Sequence, residues 1–356
     1  MLYSLTMLRS IFWKPYSRLF IVGDNSGWST DIDAKDTAWF ATKLGIKAQV
    51  IKRMYFNLPQ AVHYTSQFSL LLPIYKSKNR LSVDYFHGRP EQQESFRKCF
   101  EAIREHHEQF GRIRVSNSEM EKLIKTTGID PKKVMRIPIG IDLNIFKPQE
   151  ENQKQEARRK LGVPLDAVVI GSFQKDGVGK FDGTDEGNEP KLIKGPDIFL
   201  EVVRNLKLEI NNLFVLLSGP ARGYIKKGLE DLGIPYKHVY FNDYREIAGL
   251  YDAIDLYLIT SREEGGPKAC LESMAKGVPL VTTRVGQCAD LVLHRENAMM
   301  AEIDDVGSLS QHALQAIRDE DLRQKLINGG FKTASENSHE AQLPLWREYL
   351  KPLFTP

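Results

Sequence analysis

Thr260-Ser-Arg-Glu-Glu-Gly-Gly-Pro-Lys-Ala-Cys-Leu-Glu-Ser-Met-Ala-Lys-Gly-Val-Pro-Leu-Val281 decides how this chain is read. It follows Leu256-Tyr-Leu-Ile259, a short continuous apolar run of the kind that forms a strand buried on both faces. Gly265-Gly266-Pro267 predicts a tight turn. Lys268 to Lys276 carries helical spacing, and Gly277 stops it. Pro279-Leu-Val-Thr282 begins another strand. Strand, glycine turn, helix and strand in that order predict parallel strands joined by a crossover helix.

The turn also carries chemistry. Gly265 and Gly266 let backbone approach a ligand closely. The N–H groups at the start of the helix lack helical partners and favour hydroxyl or phosphate oxygens. Glu264 projects at the loop, and Glu272 follows after seven intervening residues. Two carboxylates at different depths suit two polyol groups, such as a sugar and a ribose, because each accepts paired hydrogen bonds from vicinal hydroxyls. Either glutamate alone reads more simply as a solvated side chain.

Working outward, the same alternation recurs. In the first half, strands are expected at Arg18–Gly23, Ala48–Ile51, Ser69–Leu72, Leu81–Phe86 and Arg112–Val115. Helices are expected at Ala34–Leu44, from Pro90 through Phe110, and from Ser118 to about Thr126. In the second half, Ala167–Gly171, Leu213–Ser218 and His238–Phe241 read as strands, with helices from Pro196 to about Leu206 and from Ile225 to Leu232. The polar stretch Pro148 to Lys160 is placed at a domain boundary. The expected architecture is α/β, with two Rossmann-like, doubly wound parallel-sheet domains facing a central cleft. They would span residues 1–148 and 149–339. Apolar Leu343-Pro-Leu-Trp346 and Tyr349-Leu350 predict that the segment from about 340 to 356 docks back on the first domain.

Composition narrows the class. A chain of 356 residues suits two cores, and 42% hydrophobic residues argue against disorder. A net charge of +3 is too mild for a nucleic-acid partner and fits a handler of anionic phosphates, an acidic membrane face, or no charged partner at all. Cys99, Cys270 and Cys288 form no CxxC pair, so no disulfide framework or zinc site is expected, and the reducing cytoplasm is the natural compartment. No apolar run reaches the ~18 residues of a membrane span. Met1 to Trp13 is preferred as a segment packed on its own domain. The alternative is peripheral contact with the inner membrane face through Leu5, Leu8, Ile11 and Phe12 or Trp13. Asp31 and Asp33 are not read as a metal pair, His106 and His107 are read as surface residues, and Gly23–Gly27 lacks the GxGxxG of a dinucleotide site.

The 260–281 string resembles glycosyltransferase family 4, retaining enzymes of the GT-B type. That family carries a Glu-Gly-x-Gly turn, a second glutamate after seven residues, and a helix ending Glu-x-Met-Ala-x-Gly-x-Pro-x-Val. Here the matching residues are Glu264, Gly265, Glu272, Met274, Ala275, Gly277, Pro279 and Val281. Val134 to Asp142 with Phe146 and Pro148 is similar to the family's inter-domain passage. Ile170-Gly171 with Lys194-Gly195 is similar to its donor-phosphate region. Tyr251 and Asp255 precede the glutamates as in the family, and His87-Gly88 resembles the family's cleft histidine.

The resemblance implies an enzyme that moves a sugar from a nucleotide-diphosphate sugar to a hydroxyl of a sugar, glycan or glycolipid, with no cofactor and no metal. It implies that Glu264 holds a sugar hydroxyl, helped by Gly266, Pro267, Lys268 and Ala269. Glu272 would bind the ribose, Lys194 beside Gly195 would neutralise the diphosphate, and His87 would line the sugar site. Asn25, Ser26, Gly27 and Trp28 would form a loop near donor phosphate and acceptor. The chain departs from the family at Gly171-Ser-Phe-Gln174, where Gly-Arg is usual. Lys175 is the candidate replacement, a point charge without the arginine fork. Arg222 is a second candidate cation, with a surface role preferred. Gly266-Pro267 replaces an aromatic–glycine pair, and the loop 174–193 is an added lid, an acceptor contact or a mobile insertion. Two rivals stand beside this reading: a sugar-phosphate synthase or epimerase of the same fold, and a sugar-nucleotide-binding scaffold without turnover.

Overall fold

The computed structural model describes residues 16–23, 29–53, 59–76, 78–148, 152–179 and 187–354. The apolar start, the loop Asn25–Trp28 and residues 180–186 of the long loop lie outside the described residues.

The chain divides into two compact units. One holds Met1–Val115, Glu119–Ile137 and Leu343–Pro356, and the other Ser116–Ser118 with Pro138–Gln342. The first unit is built on strands β1 (Leu19–Val22), β2 (Ala48–Ile51), β3 (Ala61–Tyr64), β4 (Arg80–Asp84), β5 (Phe110–Val115) and β6 (Val134–Arg136). Their order is β2-β1-β3-β4-β5-β6, and every pairing is parallel. Parallel neighbours need a crossover, which helices such as α1 (Ser29–Lys43) and α2 (Glu94–His106) supply. Two apolar layers, around Val83 and Ile113 and around Leu19 and Ile21, cover the sheet.

Three expectations are corrected here. Ser69–Leu72 is not a strand. Gln67–Leu71 forms a 3-10 turn whose start is capped by Ser66, with Oγ accepting from Phe68 N at 3.4 Å. The neighbouring strand is Ala61–Tyr64, masked in the sequence by a polar residue, His63, whose ring is buried against Ser82 at 3.0 Å. The helix expected from Pro90 through Phe110 starts at Glu94 and ends at His106. The polar stretch after Pro148 contains a helix, α3 in the second unit (Gln153–Leu161). Its anchor is Arg158, a buried side chain donating to Ala253 O, Leu165 O and Ala167 O, each at 2.9 Å, and to Asp255 Oδ2 at 2.6 Å.

The second unit carries β7 (Val168–Phe173), β8 (Leu213–Ser218), β9 (Tyr236–Val239), β10 (Leu256–Ile259), β11 (Leu280–Thr283) and β12 (Met299–Ala301). The order is β12-β11-β10-β7-β8-β9, again wholly parallel. The helices that matter below are α4 (Pro196–Glu209), α5 (Ala248–Tyr251) and α6 (Lys268–Lys276). Gly277 ends α6 in the left-handed region at φ +70°, as its sequence position predicts. A final helix, α7 (His339–Leu350), supplies the first unit with Trp346, Tyr349 and Leu350, all buried.

Candidate functional site

The second sheet reverses its winding between β7 and β10. The chain runs from β7 toward β9 on one side and from β10 toward β12 on the other. The loops leaving these adjacent strand ends emerge side by side, the place where doubly wound sheets bind ligands. One loop is Thr260–Pro267. The other returns to the sheet at Leu192–Lys194, just before α4.

Backbone bonds tie the two loops together. Arg262 N and Glu263 N donate to Ile193 O at 2.8 and 3.1 Å, and Thr260 Oγ1 donates to Gly195 O at 2.8 Å. Gly195 stands at φ +62°, and a Cβ there would run into the carbonyl oxygen of Thr260. Both conditions call for glycine. Arg262 fastens the outside of the junction. It donates to Leu192 O at 2.7 Å, to both Asp197 oxygens at 2.8 and 2.7 Å, and to Asp304 at 2.6 Å. Those bonds to Arg262 hold the Asp197 carboxyl below its ordinary range.

The junction brings Lys194 to Glu264. Lys194 Nζ lies 2.6 Å from Glu264 Oε2, and Ser261 Oγ donates to Glu264 Oε1 at 3.0 Å. The two side chains are 23% and 13% exposed, so the pair is sheltered and still reachable. A carboxylate with a cation at one oxygen keeps lone pairs for hydroxyl donors.

Loop 264–266 is also braced from behind. Gly265 O accepts from Gln287 N at 3.0 Å, Ser116 Oγ at 2.7 Å and Asn117 Nδ2 at 3.0 Å. A Cβ on Gly266 would stand 2.7 Å from Gln287 Oε1 and 2.8 Å from Ile139 Cδ1. A larger residue here would push the ends of the Gln287 and Ile139 side chains aside. The loop delivers Pro267, whose side chain makes no cap hydrogen bond, at the cap of α6, and Lys268 and Ala269 in the first turn.

Glu272 faces different surroundings on the same helix. It is 2% exposed. Tyr251 OH donates to Oε2 at 2.8 Å, and Tyr244 OH donates to Oε1. Burial pushes the Glu272 carboxyl upward, while the two tyrosine hydroxyls and the Lys268 charge pull it down. Tyr251 is fixed by its own packing. Its ring stacks on Tyr257 at 5.4 Å and meets the edge of Phe173 at 5.0 Å. Sequence reasoning singled out Tyr251 by position and missed Tyr244, which sits in the irregular polar run Asn242-Asp-Tyr-Arg245 and has no periodicity to mark it.

The other predicted residues fall elsewhere. Gly171 lies inside β7, where its missing side chain makes room for Ile254 Cδ1, 2.5 Å from an ideal Cβ. Lys175 Nζ donates to Gly179 O within its own loop. The surface role preferred for Arg222 is overturned, because the residue is 1% exposed. Its guanidinium donates to Ser172 O, Gln174 O and Ser218 O at 2.8 to 2.9 Å and pairs with Asp176 Oδ1 at 3.1 Å. Burial pushes the Asp176 carboxyl up to about 6, against the pull of Arg222.

In the first unit, His87 follows β4. Its ring meets the edge of Phe96 at 5.4 Å, and Gln67 donates to its carbonyl. Gly88 stands at φ +94° with Phe96 filling the place of a side chain. Asn25, Ser26, Gly27 and Trp28 lie outside the described residues. Among the described residues, no helix is long and apolar enough to cross a membrane, and no group of three or more His, Cys, Asp and Glu side chains is placed to hold a metal ion.

Comparison with known proteins bears on this geometry. Residues 190–333 match the family Glycosyl transferases group 1. Among curated relatives, the D-inositol 3-phosphate glycosyltransferase of Xylanimonas cellulosilytica is 26% identical over 229 residues, covering 62% of this chain and 51% of that protein. The same-named protein of Corynebacterium kroppenstedtii is 28% identical over 222 residues, covering 59% and 46%. The chain spans about half the length of the curated relatives it matches. Among solved structures, Anabaena Alr3699/HepE in complex with UDP and glucose superposes with a TM-score of 0.74 at 16% identity, covering 94% of this chain and 99% of that one. Sucrose-phosphate synthase from Thermosynechococcus elongatus gives 0.74 at 14% identity, covering 95% and 99%. The fold is GT-B, and residues 190–333 match the group 1 glycosyl transferases.

Proposed function

We propose that this chain moves a sugar from a nucleotide-diphosphate sugar to an acceptor hydroxyl with retention of anomeric configuration. The observation that carries the reading is the Lys194–Glu264 ion pair at the winding reversal, beside the start of α6 and on the same loop–helix as the buried Glu272. A cation, a hydroxyl-binding carboxylate, a helix start and a second carboxylate are the parts that an activated sugar needs. The UDP and glucose named for the Anabaena structure are consistent with that class of donor.

Each residue has a defined task in this reading. Glu264 accepts hydrogen bonds from sugar hydroxyls and fixes the ring. The first-turn N–H groups after Pro267 and the Lys194 ammonium stabilise charge that builds on the diphosphate as the bond to the anomeric carbon breaks. The acceptor oxygen bonds to that carbon on the same face, and its proton passes to a leaving phosphate oxygen. No protein nucleophile and no metal take part. Glu272 accepts from the ribose hydroxyls. The acceptor is a hydroxyl of a sugar, glycan or glycolipid in surface-glycan synthesis, and the chain works in the cytoplasm. The role that the family resemblance gives His87 is tested by His87→Ala, with loss of kcat at unchanged nucleotide affinity as the expected result.

The test is transfer from UDP-, GDP- and ADP-sugars to a panel of polyols and glycans, with and without EDTA. The product's anomeric configuration is read by NMR. Transfer with retention that persists in EDTA supports the reading. Inverted product, or transfer abolished by EDTA, would refute the mechanism. Nucleotide binding without turnover on any acceptor would favour the scaffold reading.

A further inference from the structure

Lys194 is already paired with Glu264, so the two together present little net positive charge to a diphosphate. No arginine follows Gly171, and Arg222 is committed elsewhere. Its buried guanidinium donates to Ser172 O, Gln174 O, Ser218 O and Ser172 Oγ, with Asp176 beside it. That buried pair sits at the base of the loop after β7. Asp176 O accepts from Lys191 N at 2.7 Å, and Val178 N donates to Glu189 O at 2.8 Å. Between these bonds Gly177 bridges antiparallel to Pro190. The short ladder packs on Ala221. A Cβ on Gly177 would stand 2.3 Å from Ala221 O, and one on Gly187, at φ +65°, 2.5 Å from Ala221 Cβ. The described ends of the loop are therefore built into the unit, with their backbone groups paired.

The returning end carries Lys191 directly into the Leu192–Lys194 turn, where Lys194 N donates to Lys191 O at 2.8 Å. Lys191 and Lys194 thus stand at the two ends of one tight turn. The Lys191 side chain is half-buried, and its ammonium makes no hydrogen bond or ion pair with any described residue. Lys175 differs, since its Nζ donates to Gly179 O within its own loop. Burial holds the Lys191 ammonium below its ordinary lysine range, and repulsion from Lys194 and Lys175 adds to this against the attraction of Glu264. Three ammonium groups therefore act on one carboxylate. A partly desolvated cation without a partner is costly, and an anion that bonds it removes that cost.

We propose that Lys191 is a diphosphate-binding residue, which with Lys194 supplies the positive charge that the leaving phosphates need, in place of Lys175. The inference deepens the donor reading and rests on it. Lys191 donates an N–H to a non-bridging phosphate oxygen, and that bond strengthens as charge builds on the leaving group. It adds no covalent step. The nucleoside end of the donor, given to Glu272, is untouched by Lys191.

The experiment is isothermal titration of the full chain and its Lys191→Ala, Lys191→Met and Lys175→Ala variants with UDP, GDP and ADP. The nucleoside of whichever binds is then measured by displacement, and thermal unfolding serves as the folding control. Lys191→Met keeps an apolar stem and removes the charge, which separates lost packing from lost attraction. Diphosphate affinity should fall about tenfold in both Lys191 variants, the scale of one hydrogen bond between charged groups. Nucleoside affinity should stay unchanged, and the loss should shrink as salt is raised. That result supports the proposal. Unchanged diphosphate affinity in folded Lys191 variants overturns it and leaves the donor site standing, whatever Lys175→Ala does. An equal loss for nucleoside and diphosphate also overturns it, because Lys191 would then only support the fold of the loop. If the unaltered chain binds none of the three nucleotides, the donor reading falls, and this proposal falls with it.

Discussion

Glu264 and Lys194 are far apart in sequence and 2.6 Å apart in space. Truncating either should separate chemistry from binding. For Glu264→Ala or Lys194→Ala, a fall in kcat of about a hundred- to a thousandfold is expected, the size seen when one preorganised transition-state contact is lost. The pair is partly solvated, so melting temperature should move little. Full transfer rate in both variants would remove them from the mechanism. Asp176 gives a pH signature at the same scale. Its folded-state pKa of about 6 lies above the ordinary carboxylate value of 3.8. The unfolded chain therefore loses this proton first as pH rises. Its contribution is fully present below about pH 4 and is lost through pH 6, a swing of about 3 kcal/mol at most. Urea unfolding of the unaltered chain and of Asp176→Asn should show the difference between them shifting against the unaltered chain from pH 4 to pH 7. A pH-independent difference would contradict the burial argument.

At the scale of elements, the strand–turn–helix–strand from Leu256 to Thr283 was legible because each boundary carries a physical marker. Its first strand is an uninterrupted apolar run, its second opens on Leu280-Val281, its turn is glycine and proline, and its helix stops at a glycine with positive φ. The failures are equally specific. The strand Ala61–Tyr64 was missed because buried His63 breaks its apolar pattern, and the carboxyl and hydroxyl that lie beside the ring come from Asp84 and Ser82 on the next strand. Helix α3 was missed because its buried anchor is Arg158, which single-sequence periodicity counts as exposed. The resemblance gave Lys194 and Glu264 separate tasks in one site, and their direct pairing was not foreseen, since no local pattern says that a loop after β7 returns to a loop after β10. Gly195 makes that return possible. Gly195→Ala would force a Cβ into Thr260 O at a positive φ. It should lower stability by about 1–3 kcal/mol and reduce kcat by moving Lys194. A variant with unchanged melting temperature and rate would show that the junction tolerates displacement.

For the whole molecule, the decisive fact is that the first unit's core is completed by residues from the far end of the described chain. Trp346 stacks on Phe40 at 4.7 Å, and the Arg114 guanidinium lies over its ring at 4.7 Å. Tyr349, Leu350 and Leu353 fill the same layer. Apolar spacing from Leu343 to Leu350 made this segment legible as one that packs, and its partners lie too far away in sequence to read from it. Trp346→Ala removes a fully buried ring and should cost about 3–5 kcal/mol. In calorimetry the loss should fall on a transition that nucleotide does not shift, while the nucleotide-stabilised transition of the second unit stays in place. A uniform drop in both transitions would mean that the two units melt as one.

The same arrangement has a consequence for biosynthesis. A ribosome making this chain releases the strands of the first unit early. The helix that seals one face of their sheet comes only after Pro138–Gln342 has been translated. At cellular elongation rates that interval lasts on the order of ten seconds or more. Throughout it Leu19, Ile21, Phe40 and Ile137 lack the part of their cover that Trp346, Tyr349, Leu350 and Leu353 supply. The second unit, whose strands follow one another without such a delay, can mature while the first is still unfinished. The nascent chain should therefore be a chaperone client through its amino-terminal half, and a premature stop anywhere before Trp346 should yield an insoluble product even where all of Pro138–Gln342 has been made.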